Sequence, residues 1–101
     1  MGEGRRTAAS HVRRIVWTAL AVDDLISIRT YIDQFNPSAA AHIAERLVTA
    51  ADSLEEFADR GRATTERHRE LLAIWPYIIR YRIEPERVVI LRIRHGHQQR
   101  E

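Results

Sequence analysis

Residues 77–96, YIIRYRIEPERVVILRIRHG, decide the fold of this chain. Ile, Val, Leu and Tyr fill the stretch, which is the composition of β-strands, and residues 84–87 (EPER) interrupt it as a turn. Four arginines occupy alternating positions of the two strands: Arg80, Arg82, Arg92 and Arg94. Side chains two residues apart on a strand share a face. The stretch therefore predicts a hairpin that covers a core with one face and binds an anion with the other.

Two amphipathic helices are predicted between a short first strand and this hairpin. The strand is residues 12–17, VRRIVW, which contain β-branched and aromatic side chains. Apolar residues then recur at spacings of three and four, which predicts one helix over residues 19–35 and a second over residues 38–58. The first apolar stripe is Leu25, Ile28, Ile32 and Phe35, and the second is Ala40, Ile43, Ala44, Leu47, Val48, Ala51, Leu54, Phe57 and Ala58.

Capping residues mark the ends of both helices. Thr18 is predicted to cap the first helix, and the Asp23-Asp24 pair to lie in its first turns, where the helix dipole favours negative charge. The Asn36-Pro37 pair is predicted to end the first helix and begin the second. Gly61 is the predicted C-cap of the second helix, in the left-handed conformation that glycine adopts most easily.

The order of elements predicts an α+β fold. Residues 69–75, RELLAIW, are a further predicted strand, and Trp75-Pro76 makes the turn into the hairpin. The order is thus β-α-α-β-β-β, a helical hairpin packed on one face of a small, mostly antiparallel sheet. The connection through two helices allows one strand pair to be parallel. Residues 12–99 form the predicted domain, and residues 1–11 a disordered N-terminal arm or an expression remnant.

Composition limits the class of protein. A chain of 101 residues allows one domain, and the absence of cysteine excludes disulfides and thiolate metal sites. No apolar run is long enough to span a membrane, so we expect a cytoplasmic protein. All 16 basic residues are arginine, which favours planar, bidentate contacts to carboxylate or phosphate. Residues 60–101 hold ten Arg and five acids, whereas residues 18–59 hold two Arg and eight acids.

The length of the turn decides how the four arginines are arranged. A two-residue turn sets Arg82 opposite Val89, and the helices would then bury two arginines whichever face they covered. A buried, unpaired charge costs several kcal/mol, which exceeds a turn preference. We therefore expect a loop of odd length, which brings all four arginines to one face. The predicted anion-binding set is Arg80, Arg82, Arg92 and Arg94 with Ile78, Val88 and Ile90.

The sequence holds few other candidates for chemistry. His68, His95 and His97 are possible general acids or bases for RNA cleavage, with the strand arginines to stabilise a phosphorane. His95 and His97 make only two ligands of a metal site, so neither a metal nor a cofactor is predicted. The chain has no Gly-rich phosphate loop and no nucleophile elbow.

The chain resembles the RelE/ParE toxins of bacterial toxin–antitoxin pairs over about residues 12–99. The matching pieces, in order, are VRRIVWT at 12–18, A-x-x-DL at 21–25, YI at 31–32, NPSAA at 36–40, GR at 61–62, REL at 69–71, YIIRYRI at 77–83 and VVILRIRHG at 88–96. The resemblance implies the same β-α-α-β-β-β order. It also implies a heteromeric complex with a cognate, ParD-like antitoxin whose acidic, partly disordered C-terminal segment wraps the toxin.

The family divides by activity. Its RelE-like members are ribosome-dependent mRNA endonucleases, and its ParE-like members poison DNA gyrase. The ending His95-Gly96-His97-Gln98 resembles the H-G-x-Q/R ending of ParE-like members, and no Tyr follows Tyr81. The resemblance therefore implies a gyrase poison that acts by binding. The alternatives are an mRNA endonuclease that uses His95, His97, Arg80 and Arg94, and an inactive member that only binds its antitoxin.

Overall fold

The computed structural model describes residues 12–96 of the chain. Its elements are β1 (Arg14–Trp17), α1 (Ala19–Asp33), α2 (Pro37–Asp52), β2 (Arg62–Ala63), β3 (His68–Ile74), β4 (Tyr77–Ile83) and β5 (Arg87–His95), with 3-10 turns at Ser53–Glu55 and Ala58–Arg60 between α2 and β2. The predicted N-terminal arm and the last residues of the predicted domain lie outside the described range.

The predicted caps at the start of both helices are confirmed. The Thr18 hydroxyl accepts a hydrogen bond from the Ala21 N–H at 3.1 Å, and the Asn36 side chain accepts one from the Ala39 N–H at 3.0 Å. Each cap pairs one of the amide groups that a helix N-terminus leaves without a partner. The predicted ends are wrong, since α1 ends at Asp33 and α2 at Asp52, before the two 3-10 turns.

The five strands form one sheet in the order β1-β5-β4-β3-β2. β1 pairs with β5 in parallel, as the crossover through two helices allows, and the other neighbours are antiparallel. The predicted α+β fold is confirmed. The sequence prediction missed β2, because a strand of two residues inside a polar connector leaves no periodic signal.

The core lies between the two helices and one face of the sheet. Its buried side chains include Leu47 and Leu54 from the helical segment and Ile79, Tyr81 and Ile90 from the sheet. Three members of the predicted apolar stripes are exposed instead: Phe35, Val48 and Phe57. Phe35 and Phe57 follow the last residues of the two α-helices, so the helical spacing no longer decides where they point.

Gly61 has a different role from the one predicted. Its φ of −78° is extended rather than left-handed, and it follows the second 3-10 turn rather than α2. A Cβ at this position would lie 2.7 Å from both the Glu70 carbonyl oxygen and the Tyr81 hydroxyl oxygen. Glycine is required here by the close approach of β3 and β4, not by a helix C-cap.

The β4–β5 hairpin reaches the predicted arrangement of arginines by a different route. The turn is even, because Ile83 pairs with Val88 and Arg82 with Val89. A β-bulge at Leu91 then shifts the register by one, and Arg80 pairs directly with Arg92. The extra residue of a bulge reverses the facing of everything beyond it. All four hairpin arginines therefore share a face, although the prediction of an odd loop is wrong.

The bulge also corrects two members of the predicted anion-binding set. Val88 and Ile90 precede the bulge on β5, so they face the helices and are fully buried in the core. Ile78 pairs with Arg94 and does lie on the arginine side of the sheet, as predicted.

A membrane-spanning helix is not found among residues 12–96, since neither described helix is both long and apolar enough.

Candidate anion-binding site

The face of the sheet that turns away from the helices is lined with arginine. Strand register places seven arginines there: Arg14, Arg62, Arg80, Arg82, Arg87, Arg92 and Arg94. We call this surface the arginine face; its other members are His68, Glu70, Leu72, Ile78, Val16 and Val89. Only one carboxylate lies on the strands of this face, so the surface is strongly cationic. The opposite side carries the acidic helices.

A row of charged side chains crosses the centre of the arginine face. Arg62, Glu70, Arg80 and Arg92 are direct register partners on β2, β3, β4 and β5. Glu70 binds Arg62 at 3.1 Å but approaches the Arg80 Nε only to 3.9 Å. The Arg80 Nε is buried without a hydrogen-bond partner. A ligand cannot reach this buried atom, but 37% of the Arg80 side chain is exposed and its contact with Glu70 is long, so the rest of the guanidinium group can donate to a ligand.

A second cluster lies beside the β4–β5 turn. The Glu84 carboxylate accepts from Arg82 Nε at 2.8 Å and from Arg87 Nε at 2.5 Å. These two hydrogen bonds, that from Arg87 first, hold the pKa of Glu84 below its ordinary value. Glu84 thus holds both guanidinium groups beside the turn. These two arginines add positive charge to the face, but some of their N–H donors are already used.

The lowered pKa of Glu84 gives a pH-dependent prediction. The ionised carboxylate stabilises the fold above its unfolded-state pKa, and this contribution is lost as pH falls through the lower folded-state pKa. We expect Glu84→Gln to lower the midpoint of urea unfolding at pH 7, with the difference from the parent protein shrinking to nothing in strong acid. The exposed Glu86→Gln variant is the control. An equal, pH-independent loss in both variants would contradict the Glu84 cluster.

A third contact ties the arginine face to α1. Asp24 accepts from Arg92 Nε at 2.8 Å and from Arg92 Nη2 at 3.1 Å, and this pairing raises the pKa of Arg92. The same carboxylate accepts from the Ile93 backbone N–H at 2.9 Å. β1 pairs with β5 only as far as Ile90, so it provides no backbone acceptor for the Ile93 N–H. Asp24 supplies that acceptor at the open edge of β5. The first turn of α1 holds no acidic residue, so Asp23 and Asp24 lie one turn further along the helix than a contact with its N-terminal dipole requires.

The remaining arginines of the face are open to a ligand. Among residues 12–96, the side chains of Arg14 and Arg94 make no ion pair, and Arg62 keeps 74% of its side chain exposed despite its contact with Glu70. With Arg80, these residues form a set of four guanidinium groups that are free or only loosely held. Of the four hairpin arginines that the sequence singles out, only Arg80 and Arg94 belong to this set.

His95 lies on the other side of the sheet. It pairs with Tyr77, and the two rings meet edge to face at 5.7 Å. Both line a cleft of about 470 Å³ between α1 and the sheet, together with Asp24, Ser27, Ile28, Tyr31 and Ile93. Burial raises the pKa of Tyr77, and the nearby Tyr31 adds to this shift.

The structure does not bring the predicted nuclease residues together. Arg80 and Arg94 belong to the arginine face, whereas His95 is directed into the cleft behind it. Adjacent residues on a strand point to opposite faces, which separates His95 from Arg94. His97, the fourth member of that set, lies outside the described residues.

His68, one of the possible general acids or bases predicted from the sequence, lies on the arginine face at the start of β3. It pairs with Arg82 across β3 and β4, and its Nδ1 lies 2.9 Å from the Thr65 hydroxyl oxygen. The alternation HREL at residues 68–71 places His68 and Glu70 on one face, and this signal was available in the sequence. Only the pairing with β4 shows that the face is the one that carries the arginines.

Residues 12–96 contain no group of three or more His, Asp or Glu side chains placed to hold a metal ion.

Comparisons with known proteins assign a family to this arrangement. A family model described as the ParE toxin of the type II toxin–antitoxin system parDE matches residues 15–100. The chain is 52% identical over 83 residues to Toxin RelE2 of Caulobacter vibrioides, covering 82% of this chain and 94% of that protein. It is 45% identical over 89 residues to the putative toxin Y4kP of Sinorhizobium fredii, covering 86% of this chain and 92% of the relative.

A solved structure gives the same result at the level of the fold. A chain of the chromosomal ParDE toxin–antitoxin system from P. aeruginosa superimposes with a TM-score of 0.74 at 25% identity, covering 85% of this chain and 98% of that chain. The family match spans the helical hairpin and the four strands β2–β5. This chain therefore belongs to the ParE toxin family of type II toxin–antitoxin systems.

Proposed function

We propose that the chain is a ParE-like toxin that inhibits DNA gyrase by binding and is neutralised by a cognate antitoxin. The antitoxin would place an acidic segment on the arginine face. The observation that carries the proposal is the separation of charge across the sheet. Seven arginines occupy one face, while the helices on the other side hold an excess of carboxylates.

The antitoxin contact rests on the free guanidinium groups. An acidic peptide can pair with Arg94 and with the exposed part of the Arg80 side chain, which Glu70 contacts only at 3.9 Å. The exposed Leu72 and half-buried Ile78 lie on the same face and offer apolar contacts between the charges. The named ParDE system that shares the fold supports a toxin–antitoxin complex for this chain as well.

The gyrase target rests on the match to the ParE family model and on the separation of His95 from Arg80 and Arg94 by the sheet. General acid–base catalysis needs its proton-transfer group within hydrogen-bond reach of the substrate. His95 is separated from Arg80 and Arg94 by the sheet, so these residues cannot serve one phosphodiester together. A toxin that acts by binding needs only the arginine face and no catalytic residues.

Ribosome-dependent mRNA cleavage is the second candidate, and His68 is the observation that favours it. His68 and Glu70 lie on the arginine face beside Arg80 and Arg82, so a base, an acid and two cations share one surface. If this surface cleaved RNA, His68→Ala would abolish cleavage without unfolding the chain, because its ring is only part-buried.

Two assays with the purified chain separate the two targets. We expect the chain to inhibit supercoiling by gyrase and to trap cleaved DNA, and we expect His68→Ala to retain this inhibition. Translation in a reconstituted system that lacks DNA and gyrase should continue. Untouched gyrase together with ribosome-dependent cleavage of mRNA would overturn the gyrase proposal in favour of the nuclease. Adding the antitoxin encoded beside this chain should restore supercoiling.

A further inference from the structure

We propose that the arginine face is a binding site for the phosphate backbone of duplex DNA, and that the chain binds DNA without gyrase. This inference rests on the proposed function, because it names the partner that the same surface takes when the antitoxin is absent. It goes beyond a contact with the gyrase protein, since it assigns direct affinity for nucleic acid to the toxin itself.

The distribution of charge carries the inference. The arginine face holds seven guanidinium groups, and three carboxylates contact them: Glu70, Glu84 and Asp24. The arginines extend from Arg14 on β1 to Arg62 on β2, across five strands or about 19 Å. Duplex DNA carries roughly eleven phosphates over that length. A surface of this size can therefore meet several phosphates at once.

The donors on this face are suited to phosphate oxygens. Arginine presents a planar fork of N–H groups that pairs with phosphate in a bidentate manner. Arg14, Arg62, Arg80 and Arg94 are free or loosely held, while Arg82, Arg87 and Arg92 are fixed by Glu84 and Asp24. Because Glu84 and Asp24 neutralise only part of the charge of the fixed arginines, these residues still produce a positive electrostatic potential. The other four can reach a ligand.

Within residues 12–96, the strands of the arginine face carry only the His68 ring, and the exposed Trp75 lies at the margin of the face, in the β3–β4 turn near Ile78. This scarcity of rings favours a duplex over a single strand. Proteins that bind single-stranded nucleic acid stack its bases on aromatic side chains within a cationic groove. Here Tyr77 and Tyr81 point toward the helices, and Trp17 packs against the core. Apart from His68, the strands of the arginine face present no ring among the described residues.

Contacts of this kind position a protein on DNA without reading its sequence. Phosphate contacts supply non-specific affinity, whereas sequence is read by groups that reach base edges. The proposed site is therefore independent of sequence and strongly dependent on salt.

The inference is tested by fluorescence anisotropy with a labelled duplex of about 20 base pairs and the full chain. If four phosphates are neutralised, affinity should fall about a hundredfold between 50 and 200 mM salt. The Arg80→Gln/Arg94→Gln variant should weaken binding at least tenfold and lower the slope of log affinity against log salt by about two. Arg29→Gln/Arg46→Gln, which removes two exposed arginines from the helices, should bind as the parent does.

Several results would overturn the inference. They are no binding at 50 mM salt, equal losses in the two double variants, or tighter binding to a single strand of the same length. Antitoxin should displace the duplex, and a stable ternary complex would also contradict a shared site. Gyrase inhibition is measured separately. A chain that inhibits gyrase but does not bind DNA would refute only this inference, and a chain that binds DNA but spares gyrase would refute only the proposed target.

Discussion

Gly61→Ala is expected to lower the free energy of unfolding by roughly 2–4 kcal/mol, since it combines overpacking with the loss of buried hydrogen bonds. The new methyl group would lie 2.7 Å from the Glu70 carbonyl oxygen and 2.9 Å from a ring carbon of Tyr81. Neither neighbour can move cheaply, because one is backbone of β3 and the other is a fully buried side chain. The extended φ of Gly61 suits alanine, so the penalty is steric rather than conformational.

The hydrogen bonds around Gly61 explain why the strain cannot be relieved. The Gly61 N–H donates to the Tyr81 hydroxyl oxygen at 2.9 Å, and that hydroxyl donates to the Ala58 carbonyl oxygen at 2.7 Å. Arg69 donates to the Gly61 carbonyl oxygen at 2.6 Å. The Tyr81 hydroxyl is a protonated donor at neutral pH, and burial raises its pKa further. Together these bonds fix the second 3-10 turn to the sheet.

Urea unfolding followed by tryptophan fluorescence measures the effect, and two matched variants control it. Gly96→Ala should cost much less, because its Cβ would meet no atom closer than 3.3 Å. Tyr81→Phe should destabilise by about 1–3 kcal/mol through unpaired groups at Gly61 and Ala58, whereas the exposed Tyr31→Phe should be nearly neutral. Equal stability of Gly61→Ala and Gly96→Ala would show that β3 and the turn are not packed as described.

Charge reversal at Arg80 is expected to weaken binding of the proposed antitoxin by about ten- to a hundredfold. Arg80 lies at the centre of the arginine face, and its Nε has no partner in the free toxin. A carboxylate there would repel an acidic segment and would stand beside Glu70. Arg94→Glu should also weaken binding. Because Arg94 makes no ion pair among residues 12–96, this change breaks no salt bridge within the toxin.

The choice of variants decides whether this experiment reports on binding alone. Arg46→Glu, on the exposed side of α2, is the control and should leave the affinity unchanged. Arg92→Glu is less informative, because it would break two direct hydrogen bonds to Asp24, at 2.8 and 3.1 Å, whereas Arg80 approaches Glu70 only to 3.9 Å. Isothermal titration with each folded variant gives the affinities. Equal losses for Arg80→Glu and Arg46→Glu would refute the arginine face as the antitoxin site.

Much of the fold follows from local sequence patterns. The caps at Thr18 and Asn36, the two helices and the strands of the hairpin are short-range features, so propensity and spacing are sufficient to predict them. The ends of the helices were predicted too late. Apolar residues continue at helical spacing beyond Asp33 and Asp52, although the two α-helices end at these residues.

The candidate site was predictable only in part. Alternation placed Arg80 with Arg82 and Arg92 with Arg94, but it could not show which of them are already paired. Arg92 is held by Asp24 from a helix 68 residues away in sequence. Arg62 and His68 belong to the face through the pairing of β2 with β3 and of β3 with β4. Such contacts depend on strand order, which no local pattern encodes.

By itself, the sequence determined an α+β chain whose β4–β5 hairpin has one apolar and one arginine-rich face. The cost of burying guanidinium groups required the four hairpin arginines to share a side. Only the tertiary structure decided how that was achieved, through a bulge at Leu91 rather than an odd turn. A bulge depends on the fit of a whole strand between its two neighbours. That same fit buried Val88 and Ile90, which the sequence prediction placed on the arginine side.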